Sequence, residues 1–236
     1  MNRRLALATA GSLGALAGVM SLDLAAQAPQ ARSGIDAVAV AASVQSFYDR
    51  TPGLRAQFHQ TYYHKLYDRY DRSRGEVMFR KPGRMRWNYA QPNGKVIVSD
   101  GQRVVVYEPG DGGDPGQMFE QELSQNQLPQ AFSFLTGTGR LEQDFTFRLL
   151  DAQRQGFTEG FVLELRPRQP APQYDRILFY VAQQEGRPIG VVRRVLIVDA
   201  SGNRNRFDFT AMQFNAPAPD SQFRFSPPAG TRHVHP

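Results

Sequence analysis

The 236 residues include four histidines and no cysteine, and this bounds the chemistry open to the chain. Without a thiol there is no disulfide, thiolate zinc site, cysteine nucleophile or Cys-x-x-Cys redox pair, and no lipid-accepting cysteine behind an export signal. His59 and His64 lie five apart in a segment of period two, so they point to opposite faces and cannot share a metal ion. His233 and His235 share a face, but in what reads as a frayed tail after Pro227-Pro228. Asp111 and Asp114, with Gly112-Gly113 between them, lack the ligand spacing of a calcium loop and read as a solvated turn. Glu142 and Asp151 are acids that a fold can bring together, although nothing in their spacing demands it. No Gly-x-Ser-x-Gly elbow, phosphate loop or His-Glu-x-x-His follows residue 28. The residues therefore point to binding rather than catalysis: no catalytic residue, no metal and no cofactor.

Binding needs a surface, and the periodicity supplies one. Residues 1–28 are set aside first. Arg3 and Arg4 open them, Leu5 to Leu22 is apolar and uncharged, and Ala26-Gln27-Ala28 offers a cleavage pattern. This predicts a cleaved secretory signal, a periplasmic address in a bacterium and a single domain over 29–236. Export makes nucleic acid an improbable partner, although 28 Lys+Arg against 22 Asp+Glu leave a net charge of +6. Ser33 followed by Asp36 resembles a capping box, and Ala37, Val40, Ala41, Val44, Phe47 and Tyr48 then recur at helical spacing until Thr51-Pro52-Gly53. From Leu54 the period changes to two. Leu54, Ala56 and Phe58 face one way, and Gly75, Val77 and Phe79 do the same after a polar turn.

Met85, Trp87 and Tyr89 then alternate with Arg84, Arg86 and Asn88, an apolar face backed by a cationic one. Arg84 and Arg86, joined by Arg193 and Arg194, suggest a basic exterior suited to anionic lipid or a partner, or simply a solvated strand face. Val96 to Ser99 and Val104 to Tyr107 flank an Asp-Gly turn, and Gln117 to Leu123 adds another strand. Ala131, Phe132, Phe134 and Leu135, stopped by Gly137, form a helix too short to stand alone. Further strands are expected at Phe145 to Leu150, Phe161 to Leu165, Ile177 to Val181, Val191 to Val198 and Phe207 to Phe214, with a last one at Phe223 to Phe225. About eleven strands in an antiparallel meander, with few helices, must cover one apolar face. Either the sheet curls around a packed interior, or the Phe-rich helix lies over a cavity lined by Phe58, Phe79, Met85, Trp87, Phe132 and Leu135. Periodicity does not choose between the two.

Several stretches, in order, resemble the periplasmic lipoprotein carrier family, LolA. They are Phe58 with Gln60, Gly75-Glu76-Val77-Met78-Phe79-Arg80-Lys81-Pro82, Arg86-Trp87 with Gln91-Pro92, Val98-Ser99-Asp100-Gly101 with Tyr107, and Phe223 through Gly230. In residues 140–200 only the strand pattern agrees. The resemblance implies an incomplete antiparallel β-barrel with an α-helical lid over a hydrophobic cavity. It also implies a monomeric carrier that takes acylated lipoproteins from an inner-membrane ABC transporter to an outer-membrane receptor. An arginine before the strand-ending proline latches the lid in that family. Here the matching position is Lys81, with Arg80 beside it. Other readings are a lipid-binding sensor or regulatory domain of this fold and a periplasmic hydrolase. The lipid-anchored acceptor of the same pathway is disfavoured by the missing cysteine. The export reading has a direct check: N-terminal sequencing of protein recovered from the periplasm should begin within a few residues of Pro29, and an intact Met1 would overturn it.

Overall fold

A computed structural model describes residues 34–122, 130–171 and 174–234. The expected signal segment, Ser33 and His235 lie outside these. Helix α1, Ala37–Asp49, is capped by Asp36 itself, whose carboxylate accepts from the Ala39 N–H at 2.7 Å. Its buried stripe is Val40, Ala41, Val44 and Tyr48, the spacing read from sequence.

Twelve strands follow: β1 Gly53–His64, β2 Arg69–Arg80, β3 Arg84–Tyr89, β4 Val96–Asp100, β5 Arg103–Glu108, β6 Gln117–Glu122, β7 Phe145–Leu150, β8 Gly160–Pro167, β9 Arg176–Gln184, β10 Arg187–Val198, β11 Arg204–Phe214 and β12 Arg232–Val234. Helices α2, Gln130–Thr136, and α3, Leu141–Asp144, stand between β6 and β7. The strands make one sheet in the order β12-β6-β5-β4-β3-β2-β1-β11-β10-β9-β8-β7. It ends on β12 and β7 without closing, the incomplete barrel expected. Every pair is antiparallel except β12 on β6. Two residues of β11 bulge opposite β1 between Arg55 and Gln57, with Ala211 at φ +47°, and such bulges bend a strand and increase its twist.

Two expectations are corrected. Phe223 to Phe225 is not a strand: Asp220–Phe223 is a 3-10 turn, and the final strand comes later at Arg232–Val234. Phe223 is anchored as a single buried side chain instead, and one buried ring carries no period. The histidine-bearing tail is not frayed throughout, because His233 pairs in register with Met118. Strands β8 and β9, expected simply as strands, are near-continuous buried runs. Their second face is covered too, by the small cluster of Phe157, Val162, Leu178 and Tyr180.

Helix α1 packs on β10, and one glycine permits this. Gly190 has φ +79°, and a Cβ there would meet the Ser43 carbonyl oxygen at 2.3 Å and the Phe47 Cβ at 2.5 Å. Gly190→Ala is therefore expected to push the helix off the strand and cost about 1–3 kcal/mol. Urea unfolding monitored by circular dichroism measures this, and an unchanged midpoint would refute the contact.

Candidate functional site

The strand registers build the site in rows. On the inner face Val77 stands opposite Trp87, Trp87 opposite Ile97, Ile97 opposite Val106 and Val106 opposite Phe119. Trp87 thus belongs to an apolar row five strands wide. Phe207 of β11 approaches it edge-on at 5.4 Å between ring centroids, and Phe132 of α2 meets both Trp87 and Phe207 at 5.4 Å. Helix α2 lies over the row and leaves beneath it a cavity of about 270 Å³.

Of the six residues expected to line such a space, Met85, Trp87 and Phe132 do. Phe58 and Phe79 form the layer behind, packed edge-on against Trp87 at 5.0 and 5.6 Å, and both are fully buried. Leu135 is buried in the core and is not on the cavity wall. The wall residues that sequence reading missed include the apolar Tyr89, Ile97, Val104, Val106, Phe119 and Phe207, and the polar Gln60, Gln121 and Asn205. Their strands were recognised and their inward phase was legible. Only the pairing register brings them beside Trp87.

A polar contact ties the turn between β2 and β3 to both helices. The Lys81 ammonium donates to the carbonyl of Tyr48, at the C-terminal end of α1 where carbonyls lack helical partners. Its stem lies across Gly137, where a Cβ would come within 2.9 Å of the lysine chain. The Gly83 N–H donates to the carbonyl of Thr136, the last residue of α2, at 3.0 Å. Buried Ser99 steadies the turn by donating to the Gly83 carbonyl at 3.0 Å. Burial pushes the Lys81 pKa below the ordinary lysine value, with Asp49 opposing that shift and Arg140 adding to it. Tyr48, which accepts from Lys81, also ties α1 to β10 and to α2. Its hydroxyl accepts from the Val192 N–H of β10 at 3.3 Å, and its ring meets Phe134 of α2 at 4.9 Å. Burial raises its phenol pKa far above the usual value.

Arg80, the other latch candidate, is engaged elsewhere. Its guanidinium donates to the Ala218 carbonyl and the Asp220 carboxylate and stacks over Phe223 at 5.0 Å. Arg84 joins the same carboxylate at 2.8 Å, and Arg86 donates to the carbonyls of Gln222 and Arg224, both at 3.1 Å. The basic exterior is corrected accordingly. These cations hold the C-terminal segment against the sheet, and Arg194 is paired with Asp208 at 2.5 Å. A strand periodicity cannot reveal a partner more than 130 residues away.

Among the described residues, no three histidines or acids converge on a site that could hold a metal. His64 bonds Asp71 at 2.7 Å, and His59 borders a separate polar recess with Arg72 and Arg74. Asp114 accepts from the Gly116 N–H within its own loop and pairs with Arg232 at 3.4 Å. Asp151 accepts from the N–H groups of Gln153 and Arg154 in its own turn.

The family model described as "Outer membrane lipoprotein carrier protein LolA" matches residues 49–226. The outer-membrane lipoprotein carrier protein of Nitrosospira multiformis is 29% identical over 188 residues, covering 80% of this chain and 84% of that one. That of Cupriavidus pinatubonensis is 31% identical over 160 residues, covering 67% and 68%. Among solved structures, a LolA superfamily protein from Nitrosomonas europaea superposes with a TM-score of 0.46 at 16% identity, over 81% of this chain and 99% of that one.

The Tyr48 contact can be tested by removing one atom. Tyr48→Phe leaves the buried Val192 N–H without its acceptor, so the variant should lose about 1–3 kcal/mol of stability while keeping its secondary structure. Thermal and urea unfolding report the loss, and a wild-type midpoint would mean that the hydroxyl contributes nothing.

Proposed function

The chain belongs to the LolA family of outer membrane lipoprotein carriers, and from this premise we propose how its cavity carries lipid and how it lets go. It is a periplasmic carrier that shields the acyl chains of lipoproteins in transit. The observation that carries the reading is the aromatic cavity of about 270 Å³ under a short helix held by few polar bonds. Donor and acceptor are an inner-membrane ABC transporter and an outer-membrane receptor. Residues 29–236 act as one domain after removal of the signal, and no chemistry is performed on the cargo.

The cavity volume sets the mechanism. A cavity of about 150 Å³ accommodates one benzene, so the space under α2 takes only a short hydrocarbon segment. Long acyl chains require the helix to lift. Burial of each methylene contributes about 0.8 kcal/mol, and opening the lid offsets part of that gain, which keeps the cargo releasable. The closed state rests on the contacts of Lys81 and Gly83 with the ends of α1 and α2. Lysine supplies a single ammonium where the family has a planar guanidinium fork, so it holds fewer carbonyls in fixed geometry. Weakening the closed state should favour the loaded one.

Lys81→Leu is expected to fold normally and to retain lipoprotein. Protein recovered from the periplasm should carry triacylated lipoproteins by mass spectrometry, with more on the variant than on the wild type and slower transfer to outer membranes. Equal loading and release would remove Lys81 from the mechanism. The absence of any acylated cargo on both would sink the carrier reading.

A further inference from the structure

The cavity is apolar along most of its wall, with Gln121 in the row of Met85 at one end and a bonded pair of amides at the other. Gln60 of β1 and Asn205 of β11 both turn to the inner face and line it. The Gln60 Nε2 donates to the Asn205 Oδ1 at 2.8 Å. That bond leaves the Asn205 amide donors and the Gln60 carbonyl oxygen without another partner among the described residues. The pair stands beyond the row of Phe58, Gly75 and Tyr89, on the side away from Met85. Tyr89 lines the same cavity, its hydroxyl has no hydrogen-bond partner among the described residues, and burial holds it in the protonated, donating form. No side chain lining the cavity is charged.

These groups define a ligand. A hydrocarbon core needs no amide, and a donor at an apolar wall without a protein partner is free to meet an acceptor that arrives with the ligand. A phosphate or carboxylate headgroup would call for arginine or lysine, and neither lines the space. Neutral donors beside an apolar chamber suit a neutral acceptor at the end of an alkyl chain. We propose that the Gln60–Asn205 pair, with the Tyr89 hydroxyl beside it, receives the carbonyl groups at the head of the acyl chains, the glyceryl esters and the N-acyl amide of a lipidated cysteine. The chains then lie along Trp87 and Phe132, and their carbonyls exchange water for carboxamide and phenol donors. This rests on the carrier reading and adds to it the part of the lipid that is recognised.

The experiment compares two synthetic lipopeptides of the same chain length. One is a diacylglyceryl-cysteinyl peptide with ester links, and the other is its dialkyl ether counterpart, which lacks those two carbonyls. Each is titrated against the purified protein by displacement of an apolar fluorophore, with Trp87 emission as a second readout. The ester should bind about tenfold more tightly than the ether, equivalent to about 1.4 kcal/mol. Gln60→Leu and Asn205→Leu should bring the ester down to the ether while leaving the ether unchanged. The wild-type ratio stands as evidence even if a variant folds poorly. Equal binding of ester and ether by the wild type overturns this inference and leaves the carrier reading standing. No binding of either overturns both.

Discussion

The sheet presents more aromatic surface on its inner face than its helices cover. Trp87, Phe207 and the row from Val77 to Phe119 face inward across five strands and β11, while α2 is seven residues long and its buried large apolar side chains are Phe132, Phe134 and Leu135. Apolar area left uncovered costs about 25 cal/mol per Å². A packed barrel would remove the mismatch by closing. This sheet ends on β7 and β12 instead, so the deficit remains as a cavity and gives the fold something to bind with.

Such a cavity is useful only if its cover can move. Rings divide the labour on α2. Phe134 belongs to the permanent core, with Phe179 at 4.8 Å and Tyr48 beneath it, whereas Phe132 reaches over the cavity to Trp87. The cover is fastened at its C-terminal end, by the Gly83 N–H on Thr136 and the Lys81 stem across Gly137. Hydrogen bonds of this kind contribute on the order of 1 kcal/mol each, comparable to the burial of one or two methylenes. Acyl chains can therefore compete with them, which they could not do against a fully packed interface.

Basic residues near the site divide in the same way between structure and motion. Arg80, Arg84 and Arg86 bind a C-terminal segment across the outer face, and Phe223 anchors it. Those cations are held by fixed carbonyls and one carboxylate, and they brace the strands that carry Met85 and Trp87 from behind. Lys81, next in sequence to Arg80, goes to the helices instead. Two adjacent cations thus serve opposite sides of the sheet, one holding the wall and the other its cover.

Period and composition alone determined the strand-rich class, the inward phase of Phe58, Val77, Phe79, Met85 and Trp87, the stripe of α1 and the short Phe-rich helix. Each of these follows from local alternation of apolar and polar side chains, which the chain carries whatever its partners. Tertiary structure decided the rest. Whether Phe58 or Phe207 touches the cavity depends on which strands pair and in which register, and β11 lies about 150 residues from β1 along the chain. Whether Arg84 faces solvent depends on a segment more than 130 residues later folding back over it. Which of Lys81 and Arg80 turns towards the helices was likewise a matter of which carbonyl lay within reach. Long-range pairing is set by the summed burial of the whole sheet, and no window of the sequence contains that sum.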